Sequence, residues 1–207
     1  MITIIDYGMG NLGSIENMFR YLGFKVTVEK DLDKIMRASK IVLPGVGSFD
    51  TAMKKIKEEN IQEILNEKAL NEKVPILGIC LGMQLLTNNS EEGSQKGLGW
   101  INAETYSFKN KIDKKLKIPH MGWNAVNKSN NSSLTKNFNS FNKARFYFVH
   151  SYYVKVKNEK NSILKTKYGI EFDSAIQKDN IFGAQFHPEK SHKFGMKILK
   201  NFSEIKC

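Results

Sequence analysis

Cysteine is scarce: only Cys80 and Cys207 occur in 207 residues. That excludes a disulfide framework or a cysteine-rich zinc site and leaves any special cysteine to act as a single thiol. His120, His150, His187 and His192 show no ligand spacing that two unrelated cysteines could complete, so no metal is expected. Arginine is scarce as well. The net charge of +11 comes from 32 basic and 21 acidic residues, yet only Arg20, Arg37 and Arg145 are arginines. Surfaces that clamp phosphate or read bases favour arginine forks, whereas these lysines are spread along the chain among asparagines, as on a solvated surface. Long apolar runs are missing too. No stretch approaches the roughly 18 residues of a membrane helix, and the opening Met1-Ile2-Thr3-Ile4-Ile5-Asp6 lacks the basic start and long apolar core of a secretory signal. A cytoplasmic protein is the expectation.

What is present describes a folded enzyme-sized unit. Aromatic residues make up 11% of the chain, far above disordered composition, and the length suits one domain with a real core. The first half alternates β-branched runs with helical patterns, the signature of βαβ units around a largely parallel sheet. Strands are expected at 2–5, 24–29, 41–43 and 74–79, and helices at 14–21, closed by Gly23, and at 32–38. A long helical region carries Met53, Ile56, Ile61, Ile64 and Leu65, and a further helix starts at Leu81. After Gly97 the pattern changes. Runs at 103–108, 145–149, 152–157, 163–167 and 174–177 read as antiparallel strands without intervening helices. A last strand, 181–186, precedes a helix with Ser191 as its N-cap and with Phe194, Ile198 and Phe202 along one side. Residues 127–142, rich in Asn and Ser, read as a loop, and no internal repeat is present. The fold class is α/β.

Two motifs compete for the chemistry. Gly8-Met9-Gly10-Asn11-Leu12-Gly13 follows a strand and opens a helix, with Glu29 ending the next strand, which matches a dinucleotide fingerprint in outline. Read alone, the same glycines serve equally well as a bare structural turn. The second motif is Gly78-Ile79-Cys80-Leu81-Gly82-Met83-Gln84 at the end of an apolar strand. This is the cysteine counterpart of a nucleophile elbow: paired glycines permit the sharp turn, and the helix start behind it favours a thiolate. A buried structural cysteine is the competing reading. Phe186-His187-Pro188-Glu189 breaks the tie, because a thiol nucleophile needs a base within reach and a third group to orient that base.

At this point the sequence resembles the class I glutamine amidotransferases over essentially the whole chain, and within that family the glutaminase subunits of imidazole glycerol phosphate synthases. The resemblance is carried by Asp6-Tyr7-Gly8-Met9-Gly10-Asn11, Leu43-Pro44-Gly45-Val46-Gly47-Ser48-Phe49, the Cys80 elbow extended to Leu86, Pro119-His120-Met121-Gly122-Trp123-Asn124, Tyr147-Phe148-Val149-His150-Ser151-Tyr152 and Gln185-Phe186-His187-Pro188-Glu189-Lys190-Ser191. It implies a flavodoxin-like fold in which residues 1–207 form a single amidotransferase domain, with a mostly parallel sheet flanked by helices and an added antiparallel region. The resemblance makes the N-terminal glycine run a turn near a partner in place of a dinucleotide site, and it implies no cofactor.

The resemblance further implies a catalytic triad of Cys80, His187 and Glu189. The oxyanion donors are the N–H of Leu81 and one within Gly45-Val46-Gly47, that of Val46 above all. Gln84, Glu92, Ser151 and Tyr152 are the implied glutamine contacts, with Glu91 competing with Glu92 for the α-amino group. The implied partner is a (β/α)8 cyclase subunit that receives ammonia and forms imidazole glycerol phosphate and an aminoimidazole carboxamide nucleotide. Pro119, Met121, Trp123 and Asn124, on an expected turn, form the docking patch, with Asn11 and Lys190 as further contacts and a core position for Trp123 as the competing reading. Bulky Trp100 and the Phe49-Asp50 pair suggest an alternative acceptor, a surface or flagellar sugar amidinated through a similar barrel. Other classes are a thiol hydrolase of the related protease and chaperone type, which would lack this His-Pro-Glu order, and a noncatalytic binding module, which would need no triad.

Overall fold

The computed structural model describes residues 1–138 and 144–206. Four short segments, β1 (Ile2–Ile5), β2 (Val26–Glu29), β3 (Ile41–Leu43) and β4 (Ile76–Ile79), lie parallel in the order β2-β1-β3-β4, and β12 (Ile181–Ala184) joins beside β4, also parallel. All residues of β1, β3, β4 and β12 are buried, as expected of parallel strands covered on both faces. Beyond β12 the sheet turns antiparallel through β11 (Ile170–Lys178), β10 (Ser162–Tyr168) and β7 (Asn127–Lys128), with β9 (Tyr152–Val156) pairing β11 and β5 (Ala103–Ser107) pairing β9. A separate ladder pairs β6 (His120–Ala125) with β8 (Arg145–His150).

Helices cover both faces. On one side α2 (Leu32–Met36), α3 (Phe49–Glu58), α4 (Ile61–Asn66) and α5 (Leu81–Leu85) bury Ile35, Phe49, Met53, Ile56, Ile61 and Leu65 against Ile5, Leu43 and Ile76. On the other, α1 (Leu12–Tyr21) and α6 (His192–Ser203) bury Ile15, Phe19, Ile198 and Phe202 against Ile4, Val42, Leu77 and Phe182. A fully buried Phe or Ile of this kind contributes about 1.5–3 kcal/mol by leaving water.

Several expectations need correcting. The single long helical region is two helices, because Asn60 adopts the left-handed conformation (φ 56°) that Asn tolerates better than most residues, and the chain turns there. Ser191 occupies the N-cap position of α6, but its hydroxyl does not cap the helix; it accepts the Tyr147 N–H (3.0 Å) and donates to the His187 carbonyl (2.6 Å). The segment holding Met121 and Trp123 is the strand β6 rather than a turn. It has no β-branched residue and is interrupted by Gly122 at φ 123°, which hides its alternation. Within the expected loop at 127–142, β7 and a short turn burying Leu134 are present, and residues 139–142 lie outside the described ones, as does Cys207. Trp100 is a core residue, 2% exposed, whose indole N–H donates to Asn66 Oδ1 (2.8 Å), so its bulk is explained by packing beneath α4.

Candidate active site

Three sequence-distant residues reach the carboxyl ends of adjacent parallel strands, where open α/β sheets hold their ligands: Val46 beyond β3, Cys80 beyond β4 and His187 beyond β12. They line one cavity of about 440 Å³ together with Gly47, Leu81, Gln84 and Glu92, walled by Pro119 and residues 149–152.

Cys80 sits on a strained elbow at φ 55°, ψ −110°, a region that non-glycine residues avoid unless the surroundings enforce it. The surroundings do enforce it. Its N–H is fixed to the Ala184 carbonyl (2.8 Å), and its own carbonyl accepts the N–H groups of Met83 (3.1 Å) and Gln84 (3.3 Å). The turn needs Gly82, because a Cβ there would lie 1.9 Å from the Leu43 carbonyl oxygen. Leu81 and Gly82 begin α5, so their N–H groups have no carbonyl one turn back inside the helix to bind. Across the cavity runs Pro44-Gly45-Val46-Gly47. Gly47 has φ 101°, and Gly45 lies beneath, where a Cβ would meet Gly82 N, Leu81 Cβ and the Tyr7 hydroxyl, each at 2.9 Å. That hydroxyl donates to the Pro44 carbonyl (2.5 Å); burial, with Cys80 adding to it, holds Tyr7 far above the ordinary phenol range, so it stays a donor.

His187 is buried, and its Nδ1 meets Glu189 Oε1 at 2.8 Å. Burial alone would disfavour the imidazolium, but Cys80 and Glu189 outweigh it and push the His187 pKa up to about 10. The other ring nitrogen, Nε2, is buried without a hydrogen-bond partner among the described residues. The ring is held by its own backbone: His187 N–H donates to the Tyr147 carbonyl (2.9 Å), and the Ser191 hydroxyl bridges Tyr147 and His187. Cys80 Sγ lies 3.9 Å from both the Val149 carbonyl and the Gln185 amide nitrogen.

Of the expected substrate contacts, Gln84, Glu92, Ser151 and Tyr152 all line the cavity. Gln84 spends its amide protons inside the wall, on the Tyr152 carbonyl (3.3 Å) and on Gln185 Oε1 (3.1 Å). Glu91 turns away, accepting from the Ser107 N–H (2.7 Å) and pairing with Lys111 (3.0 Å). Glu92 stays at the cavity, where burial raises its carboxyl pKa while the Phe49 N–H (2.9 Å) works against the rise. Four apolar side chains stand exposed on or next to elements that supply the cavity: Val46 (44%) lines it, Ile118 (42%) precedes the lining residue Pro119, and Met121 (62%) and Trp123 (45%) lie on β6, which pairs with β8, the strand that brings Val149 and His150 to the wall. Trp123 stacks on His192 (5.2 Å between centroids, 12° between planes). Asn124 is on the opposite side of β6 from Trp123, its amide bound to His120 Nε2 (3.2 Å) and to the Lys167 carbonyl (3.1 Å). Asn11 and Lys190 are exposed, the latter near the Tyr147 ring.

Sequence reasoning gave no role to Gln185, whose signal is a lone polar residue inside the apolar run Ile181-Phe182-Gly183-Ala184-Gln185-Phe186, and it missed the bridging role of Ser191. It also missed the buried pair His120–His150, which only the register of β6 on β8 reveals.

The model of the family "Glutamine amidotransferase class-I" matches residues 3–205, and the chain belongs to that family. It is 57% identical over 202 residues to "Imidazole glycerol phosphate synthase subunit HisH 2" of Methanococcus maripaludis, covering 98% of each chain. It is 43% identical to the protein of the same name from Pseudomonas aeruginosa (99% of this chain, 100% of the relative). It is 46% identical to "Imidazole glycerol phosphate synthase subunit HisH" of Bdellovibrio bacteriovorus, with the same coverage. Among solved structures, a glutamine amidotransferase shares the fold at TM-score 0.75 and 13% identity, over 99% of this chain and 98% of that one. The structure of PurLQS from Thermotoga maritima does so at TM-score 0.73 and 19% identity, over 97% of this chain and 96% of that one.

Proposed function

We propose that this class I glutamine amidotransferase is the glutaminase subunit of an imidazole glycerol phosphate synthase, hydrolysing glutamine to glutamate and ammonia for histidine biosynthesis. The names of its relatives, at 43–57% identity over nearly the whole chain, support the assignment. The observation that carries the chemistry is Cys80 on a strained elbow beside a buried His187 held by Glu189.

Cys80 Sγ attacks the side-chain carboxamide of glutamine and forms the C–S bond, while the carbonyl electrons move onto oxygen. The oxyanion is met by the N–H groups of Leu81 and Val46. Losing one such donor costs about 3–4 kcal/mol in the transition state. As the tetrahedral species collapses, the C–N bond breaks and His187 Nε2 delivers its proton to the leaving nitrogen, releasing ammonia and leaving a thioester. Water, deprotonated by His187, then attacks the thioester; glutamate leaves and the thiolate returns. Glu189 fixes the ring through Nδ1 and stabilises its charge throughout. Gln84, Ser151 and Tyr152 wall the site, and Glu92 meets the α-ammonium group.

A separate (β/α)8 cyclase subunit receives the ammonia through its interior, forming a heterodimer, and performs the lyase step that yields imidazole glycerol phosphate and the aminoimidazole carboxamide nucleotide. Exposed Val46 at the cavity, with exposed Met121 and Trp123 on β6 paired to the strand that carries Val149 and His150, supports docking on this face, since exposed apolar clusters mark interaction sites. Val46 belongs both to this rim and to the oxyanion loop, so the partner that covers it also selects the donating orientation of its peptide. Asn11, Pro119 and Lys190 extend the contact, while Asn124 supports β6 from behind. The cytoplasm is the compartment, where a free catalytic thiol stays reduced.

Glutamate release, with and without the cyclase subunit and its nucleotide substrate, tests the assignment. Strong stimulation requiring both, abolished by Cys80→Ala, is expected. A Cys80-dependent rate that the cyclase leaves unchanged would redirect the ammonia to sugar amidination. Undiminished release by Cys80→Ala would remove the nucleophile.

A further inference from the structure

α3 and the loop at 90–97 grip each other through two crossing carboxylates, Glu92 and Asp50, of which the mechanism above uses only the first. Glu92 Oε2 accepts the N–H of Phe49, the first residue of α3, at 2.9 Å. The next residue, Asp50, reaches the other way: Oδ1 accepts the Gln95 N–H (2.9 Å) and Oδ2 accepts the Ser94 N–H (3.0 Å) and hydroxyl (3.4 Å). Gly93 lies in the crossing, where a Cβ would fall 2.0 Å from Asp50 Oδ1. Farther out, Lys57 Nζ donates to Gln95 Oε1 (2.9 Å), and on the inner side the Glu92 N–H is held by the Ser90 hydroxyl (3.2 Å).

This arrangement fixes one oxygen of Glu92 and leaves Oε1 for a ligand in the cavity. Charge does not explain the presence of Asp50, because its negative charge adds to the burial that already disfavours ionised Glu92. The contribution of Asp50 is one of position. Its carboxylate is the acceptor for two loop N–H groups that fall just after Glu92 in the chain, and charged acceptors make the stronger bonds to backbone amides.

We propose that Asp50 is a positioning residue for substrate selection: by pinning residues 93–95 it sets Glu92 where it meets an α-ammonium group and rejects ω-amides that lack one. The inference rests on the reading that this cavity takes glutamine with Glu92 at its α-amino group. The loop is then a selectivity clamp whose grip depends on Gly93 as well.

The test measures KM and kcat for L-glutamine and the inhibition constant of glutaramate, which is glutamine without its α-amino group, using the complex with the cyclase subunit. Glu92→Gln is expected to raise KM for glutamine and leave glutaramate binding nearly unchanged. Asp50→Ala is expected to do the same more weakly, raising KM for glutamine about 10-fold with kcat within about twofold. Asp50→Asn, which keeps one acceptor oxygen, restores part of the loss, and Gly93→Ala, which expels the Asp50 carboxylate, reproduces it. A merely structural Asp50 would weaken glutamine and glutaramate alike or lower only the melting temperature. That result, with Glu92→Gln behaving as stated, overturns the role of Asp50 alone. If Glu92→Gln leaves the discrimination intact, both the role of Asp50 and the reading of Glu92 fall.

Discussion

His120 and His150 are bonded ring to ring across β6 and β8, Nδ1 to Nε2 at 2.9 Å, and both are buried. Their tautomers follow from their neighbours. His150 Nδ1 faces the Tyr152 carbonyl at 2.6 Å and must carry the proton, so its Nε2 accepts from His120, whose own Nε2 accepts from Asn124. The row runs from the inner face of β6 to the wall of the cavity, and it holds together only with both rings neutral. Burial pushes the pKa of His120 down to about 4 and that of His150 down to about 3.

Stability should therefore fall on the acid side. In the unfolded chain both rings titrate near the ordinary value of about 6.5. As pH drops from there toward 4, the unfolded state takes up two protons that the folded state refuses. The slope is up to about 1.4 kcal/mol per pH unit per ring. His187 has the opposite sign: with a folded pKa raised to about 10, its contribution is complete below about 6.5 and is lost as pH rises toward 10. Melting temperature against pH should peak near neutrality, and His150→Gln should flatten the acid limb. An acid limb unchanged in that variant would contradict the buried neutral pair.

Glu189→Gln removes the charge that sustains the His187 imidazolium. The His187 pKa should fall, and the alkaline limb of kcat/KM for glutamine should move to lower pH, with kcat reduced on the order of 100- to 10,000-fold. A large loss of kcat with the alkaline limb in place would mean that Glu189 acts without stabilising the charged ring.

Trp123→Ala tests the docking face. An exposed aromatic on β6, the strand paired with the one that carries Val149 and His150 to the cavity wall, has the character of a binding hot spot, worth about 2 kcal/mol or more. The cyclase concentration that gives half-maximal stimulation should rise about 30-fold, while saturating cyclase recovers the full rate. Unchanged half-saturation would move the interface elsewhere.

Gly82→Ala places a methyl group 1.9 Å from the Leu43 carbonyl, backbone that cannot step aside cheaply. A cost of about 3 kcal/mol or more is expected, seen as a melting temperature lowered on the order of 10 °C. A variant as stable as the parent would show that the approach of α5 to β3 is looser than this packing requires.

The parallel half of the fold was legible because Ile2–Ile5, Ile41–Leu43 and Ile76–Ile79 are short apolar runs bounded by turns, and the elbow was legible because glycines flank Cys80 at fixed spacing. The strand β6 was not, since His120-Met121-Gly122-Trp123-Asn124-Ala125 follows the period of a strand without its usual residues. What sequence could not supply was register. The bond of His120 to His150, the grip of Asp50 on Ser94 and Gln95, and the bridge of Ser191 between Tyr147 and His187 all join residues 30 to 45 positions apart or pair backbone with side chain. Only the folded chain brings these groups within hydrogen-bond distance. Trp100 shows the converse: a conspicuous residue suggested a function and turned out to fill the core.

The central claim is a covalent intermediate at Cys80, and the most direct measurement is mass spectrometry of the chain after treatment with an electrophilic glutamine analogue such as a diazoketone amino acid. One adduct per chain, mapped to the peptide that holds Cys80, prevented by excess glutamine and slowed in Glu189→Gln, is the predicted result. An adduct elsewhere, or labelling of Cys80 that glutamine does not protect, would contradict the account.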